Sequence, residues 1–306
     1  MSLPYIATYV SFAFVIAVYA YKVWKVAKLP FHLRWELYPV PHEKGYKYGG
    51  SYLEEAEWWT KQPERSLLRR VIYMLKRYFL LDGYFDRSKG YWFSLYPWHV
   101  GFYLIVMFHG MAFLGALILA TSDISISGGS SNALGVLVYY VTIIVAVGSF
   151  TLGSIGSIGL LIQRLSNKGL RSFASPQNYF NYIFFLAMFL SGLIAWVGYD
   201  YSFVHYRAFW EGLITFDFAH VEAATYVHII FFSLFLIYLP FTRSTHYIII
   251  LLAYLGVLWN DKPNLRGGEM EKDISVQLNK AVSWSAPHIQ TGKKWCEVAT
   301  EGVEKE

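Results

Sequence analysis

Nine histidines occur among the 306 residues, and four of them lie in strongly apolar surroundings. His99 and His109 fall in the segment Trp98–Ala120; His228 and His246 bound the stretch HIIFFSLFLIYLPFTRSTH. A neutral imidazole offers one ring nitrogen to a metal while its other N–H needs a nearby acceptor. Two apolar helices with two histidines each form the pattern of two bis-imidazole haem sites at two levels of a membrane. One rival chemistry is a histidine proton relay in a transporter, which ordinarily includes intramembrane carboxylates. No Asp or Glu lies inside any apolar span. A second rival, a haem-free membrane anchor, gives no reason for histidines at matched depths. The single cysteine, Cys296, excludes a disulfide, a Cys-ligated cluster or a CxxCH attachment within the chain, so any haem is held noncovalently.

Helical arithmetic sharpens the pattern. Read as one regular helix, 228–246 covers eighteen steps at ~100°, which places both imidazoles on one face about 27 Å apart. His99 and His109 are separated by only ~15 Å of rise and by about 80° around the axis. Pairing His99 with His246 and His109 with His228 therefore requires tilted helices, leaning haem planes or a bend at Pro240.

The elements that must carry these residues are membrane spans. The chain is 55% hydrophobic and 15% charged, with 25 Tyr and 11 Trp suited to membrane interfaces. Five spans are expected: Leu3–Val26, Trp98–Ala120, Leu134–Ile162, Tyr179–Tyr199 and a fifth from near Ala223. Pro240 should end or bend the fifth, leaving 247–258 as a further helix, interfacial or tilted back. The first run lacks a basic leader and a cleavage site, so it reads as an uncleaved helix. The net charge of +5 reflects topology rather than nucleic-acid binding. Twelve Lys and Arg fall in 27–97 and seven after Leu258, with Arg164, Lys168 and Arg171 in 163–178; 121–133 has none and 200–222 only Arg207. By the positive-inside rule the N-terminus lies outside and the C-terminus in the cytoplasm of a cytoplasmic (inner) membrane. The expected organisation is a first helix (1–26), a cytoplasmic connection (27–97), a membrane domain (98–258) and a cytoplasmic tail (259–306).

Within the connection, 52–61 and 64–81 read as helical. The second has Leu67, Val71, Met74, Leu75 and Tyr78 on one stripe flanked by Arg69, Arg70, Lys76 and Arg77. It suits a membrane surface, a docked cytoplasmic subunit, or both. The tail shows no convincing helical period, yet Val282, Trp284 and Trp295 suggest ordering against a partner. His205 and His220 read as surface or quinone-side residues of the outer loop. His32, His42 and His288 read as surface or interface residues, and Cys296 as structural. Gly148, Gly153, Gly156 and Gly159 read as a helix-packing stripe. Arg243 reads as a membrane-edge anchor or as a partner for a haem propionate.

The set His99-x9-His109, His228-x17-His246 and Pro240-Phe-Thr-Arg243 resembles the gamma subunit of respiratory nitrate reductase. The loop from Gly159-Leu-Leu-Ile-Gln-Arg164 to Ser175-Pro-Gln-Asn178 is similar to that family's cytoplasmic turn, with Asn178 where an acidic residue is common. The resemblance covers about 97–259 and the first span. The segments Phe31-His-Leu-Arg-Trp-Glu-Leu-Tyr-Pro-Val-Pro-His42-Glu and Val282-Ser-Trp-Ser-Ala-Pro-His-Ile look like the DsrM-type membrane cytochrome b of the sulfite-reduction-associated complex, with the Tmc and Hmc cytochromes b as near relatives. The resemblance implies an all-α membrane bundle with two haem b, ligated by His99 with His246 and His109 with His228. It implies electron transfer between menaquinol/menaquinone, near His109 and His228, and a heterodisulfide-reductase-like cytoplasmic iron–sulfur subunit in sulfite-linked respiration. Further membrane and periplasmic cytochrome c subunits are also implied. The third span lacks the lysine that serves the quinone site in nitrate reductase.

Overall fold

The computed structural model describes residues 2–28, 55–60, 66–253, 266–286, 289 and 291–300. The described secondary structure is helical apart from isolated bridges, and five helices are long and apolar enough to cross a membrane. The protein is thus an all-α, multi-pass membrane protein. The chain divides into two units, 1–18 with 74–242 and 19–73 with 243–306. The first helix, α1 (Leu3–Ala27), contributes to both.

In the first unit, α4 (Lys89–Thr121), α5 (Ala133–Ser166), α7 (Pro176–Gly198) and α9 (Ala223–Tyr238) carry the remaining spans. Apolar residues surround each helix, so one side packs inward while the other suits lipid. Val106, Ile144 and Val197 are each about two-thirds or more exposed, a pattern that bilayer chains rather than water can cover. α4 begins at Lys89, nine residues before the expected span, because the Ser88 hydroxyl accepts from Tyr91 N and starts the helix ahead of Pro97. Asn132 Oδ1 caps α5 from Leu134 N at 2.9 Å. Asn178 Oδ1 accepts from Ser175 N and Oγ at the start of α7, so the amide carbonyl performs the capping that an acidic residue would.

The glycine stripe works as expected. A Cβ on Gly101 would lie 2.5 Å from Gly153 Cα, and one on Gly156 would collide with the Trp98 backbone. α4 and α5 therefore meet backbone to backbone. Ser149 Oγ completes the contact by donating to Gly101 O at 2.8 Å.

A helix not expected from sequence, α8 (Val204–Thr215), interrupts the 200–222 segment. Asp200 Oδ2 accepts from Tyr206 N at 2.8 Å, and Phe203 takes a left-handed φ of 55° to enter the helix. α1 packs on it through Tyr9, whose hydroxyl donates to Leu213 O at 2.6 Å, and through Tyr5 against Phe209.

The reading of 228–246 as one regular helix is corrected. α9 ends at Tyr238, a 3-10 turn covers Leu239–Phe241, and Thr242 is extended before a second turn at Arg243–Thr245. Pro240 lacks the N–H for a fourth-neighbour bond, and its ring opposes a straight continuation. The one-face, 27 Å estimate for His228 and His246 therefore lapses.

In the second unit, α10 (His246–Ala253) is the expected further helix; 254–258 lies outside the described residues. The short helices of the connection are α2 (Leu67–Leu75), which begins in the second unit, and, in the first unit, a π turn at Lys76–Leu80 and α3 (Asp82–Arg87). Of the stretch 52–61, residues 58–60 form a 3-10 turn and 52–54 and 61 lie outside the described residues. The tail is also corrected: it contains α11 (Glu269–Leu278) and α12 (Trp295–Thr300). Ala281 and Lys294 are bridged and Val282 is buried, so local apolar contacts order what lacked periodicity. α6 (Lys168–Ser172) fills the 163–178 loop.

Candidate functional site

Two of the four apolar histidines meet in the core of the first unit. His109 of α4 is 6% exposed and His228 of α9 is 2% exposed, with ring centroids 6.5 Å apart. Phe108, Phe150, Tyr206, Trp210 and Phe232 surround the pair. The closest of these is Phe232, stacked on His109 at 3.6 Å. Gly192 leaves room on the other side, where a Cβ would press into the Phe150 ring and lie 2.9 Å from His228 Cε1.

The hydrogen bonds fix the tautomers. His109 Nδ1 lies 2.7 Å from Ile105 O, an oxygen that can only accept, so Nδ1 carries the proton. Ser191 Oγ donates to Met188 O at 2.7 Å, which leaves it an acceptor for His228 Nδ1–H at 3.1 Å. Both rings thus turn an unprotonated Nε2 inward. His109 Nε2 accepts from the Tyr206 hydroxyl at 2.9 Å, whereas His228 Nε2 is buried with no partner. An unsatisfied buried acceptor is expensive and asks for a ligand. Burial pushes the Tyr206 phenol above its ordinary range, so it remains a neutral donor.

The same anchoring recurs at the other two histidines. His99 Nδ1 lies 2.9 Å from Leu95 O, one turn earlier on α4, and its ring is half-buried against Trp98. In the second unit His246 Nδ1 lies 2.8 Å from Arg243 O. His246 and Arg243 are both exposed. All four rings hold Nδ1–H on an oxygen, the orientation that readies Nε2 as a ligand. His205 and His220 are exposed, as expected; His32, His42 and His288 lie outside the described residues.

This donor set fits a haem iron. Two imidazoles sharing one metal at about 2 Å each place their nitrogens about 4 Å apart, within reach of rings at the observed separation. Among the described residues no group of three or more His, Cys, Asp and Glu side chains gathers, so the pair is not part of a zinc-type ligand cluster. For His109 Nε2 to bind a metal, Tyr206 must surrender its hydrogen bond, since the nitrogen has one lone pair.

Sequence reasoning missed Tyr206 and Arg207. The signal was present: Phe203, Tyr206, Phe209, Trp210 and Leu213 recur at helical spacing within what read as a loop. Arg207, 2% exposed, donates from Nη2 to Ser202 O at 2.8 Å. No protein-family model, curated protein or solved structure matches the chain.

Proposed function

We propose that the chain is a dihaem cytochrome b subunit carrying electrons between membrane menaquinol/menaquinone and a cytoplasmic heterodisulfide-reductase-like iron–sulfur subunit. The observation that carries the reading is the common state of four imidazoles, each with Nδ1 on an oxygen, two of them facing across a buried core with one Nε2 unpartnered. In this reading His109 and His228 hold one haem b, while His99 and His246 hold the other. The haems, when bound, supply one-electron chemistry at two levels of the membrane. Ile105 O and Ser191 Oγ orient the buried pair of ligands, and the surrounding aromatic rings exclude water. Arg243, exposed three residues before His246, can pair with a haem carboxylate. With the N-terminus outside, the His109–His228 pair faces the outer side, where Tyr206 can pass a quinol proton outward. Electron flow serves sulfite-linked respiration; a gamma-type subunit of another respiratory reductase would use the same residues. The twelve basic residues of 27–97 suit an acidic face on the cytoplasmic partner.

The test is a dithionite-reduced visible spectrum of the purified full chain. Two b-type haems per chain are expected. A preparation that is folded and saturated with haem yet shows no b-type band refutes the reading.

A further inference from the structure

A fully buried guanidinium, next in sequence to the tyrosine that touches His109, has no function in the arrangement described so far. Arg207 lies on α8, one residue beyond the tyrosine whose hydroxyl touches His109 Nε2. Its stem packs on α4, where a Cβ on Gly115 would be 2.9 Å from Arg207 Cδ and 3.3 Å from Ile126 Cδ1. Gly115 is ~9 Å along α4 from His109, toward the 122–132 loop. Tyr139 of α5 offers its ring face 5.9 Å from the guanidinium carbon.

The guanidinium is incompletely satisfied. Nη2 donates to Ser202 O, but Nη1 is buried without a partner. Asp200 is the nearby carboxylate that acts on it electrostatically, yet Asp200 Oδ2 is engaged by Tyr206 N. Among the described residues Arg207 makes no ion pair. A permanently charged, planar donor with an open N–H is a receptor for a carboxylate. A buried cation in an apolar bundle is retained at a cost that such a partner offsets.

We infer that Arg207 is the carboxylate-binding residue of the His109–His228 site, and that its ligand is a propionate of the haem proposed there. The inference rests on the haem reading and adds a contact absent from it. Gly115 belongs to the same device, because a larger residue would displace the arginine stem. A free carboxylate or an anionic lipid headgroup offers the same chemistry, and esterified haem separates these sources.

The experiment uses the full chain in detergent with His99→Ala, which leaves His109 and His228 as the bis-histidine site. Haem b and its dimethyl ester are titrated in turn, read by the visible spectrum. With Arg207 present, esterification should weaken binding by about tenfold or more, as expected for losing a charge-assisted bond. Arg207→Met should bind both forms alike. Arg207→Lys should keep part of the preference, and Gly115→Ala should reduce it with every charge retained. Far-ultraviolet circular dichroism checks folding, and the glycine variant decides if the methionine variant fails to fold. An unchanged ester preference in both Arg207→Met and Gly115→Ala overturns the inference while leaving the haem reading intact. No b-type band with either haem overturns both.

Discussion

The histidines of the first unit's core and the histidine that opens α10 all hold Nδ1 on an oxygen and differ in what surrounds them. His109 and His228 are buried, ringed by aromatic side chains and anchored through Ile105 O and Ser191. His246 is exposed and anchored by the backbone oxygen of Arg243 in a short turn. The buried pair is organised by tertiary contacts from α4, α7, α8 and α9. The exposed residue is anchored by a carbonyl three positions before it. Ring orientation can thus be set by a nearby backbone oxygen, as at His109 and His246, whereas the unpartnered Nε2 of His228 is created by packing. The buried site should therefore respond to changes in distant elements.

The largest effect tests the pairing itself. His228→Ala or His109→Ala should remove one haem completely, and His99→Ala or His246→Ala should remove the other, as counted by pyridine haemochrome. Loss of the same single haem from His109 and His246 variants would break the assignment of two distinct sites.

Packing comes next. Gly101→Val drives a side chain into the Gly153 backbone and should destabilise by about 1–3 kcal/mol, seen as a lower thermal midpoint in detergent. Gly110, on the same helix, has nothing within 4 Å of its would-be Cβ. Gly110→Ala should leave the midpoint unchanged or raise it through helix propensity. Equal destabilisation by both would show that α4 and α5 do not meet through the glycine stripe.

Ser191→Ala deletes the acceptor for His228 Nδ1–H without touching a ligand. Loss of such an orienting contact lowers affinity by about 10–100-fold, so the His109–His228 haem should weaken while the other is unmoved. A haem titration of the two sites reads this directly.

The smallest effect belongs to the exposed side. Arg243→Ala leaves the backbone oxygen that anchors His246, and an exposed ion pair contributes at most about 1 kcal/mol. The His99–His246 haem should weaken by no more than about fivefold. A loss as large as that of Arg207→Met at the buried site would erase the contrast between the two regions.

Five spans, the break at Pro240 and the glycine stripe were legible because each rests on local chemistry: long apolar runs, a missing N–H, and side chains too small to keep helices apart. The early start of α4 was less legible, since Pro97 masked a helix that Ser88 initiates nine residues before. The order in 266–300 was not legible, because Val282 and the Ala281–Lys294 bridge join residues without helical period. α8 was hidden for another reason. Its apolar face looks like a surface loop until Asp200 caps it and α1 covers it.

The amino-acid sequence by itself determined the membrane class and the span positions and singled out the four apolar histidines, because apolar length and residue type act over one element at a time. The sequence pattern paired His109 with His228, but only the tertiary structure set their rings 6.5 Å apart, put Ser191 beside His228 and brought the Tyr206 hydroxyl to His109. Those relations join residues up to 119 positions apart, His109 and His228 among them, and depend on helix rotation and crossing. Side-chain packing between helices sets those angles, and no single helix specifies them.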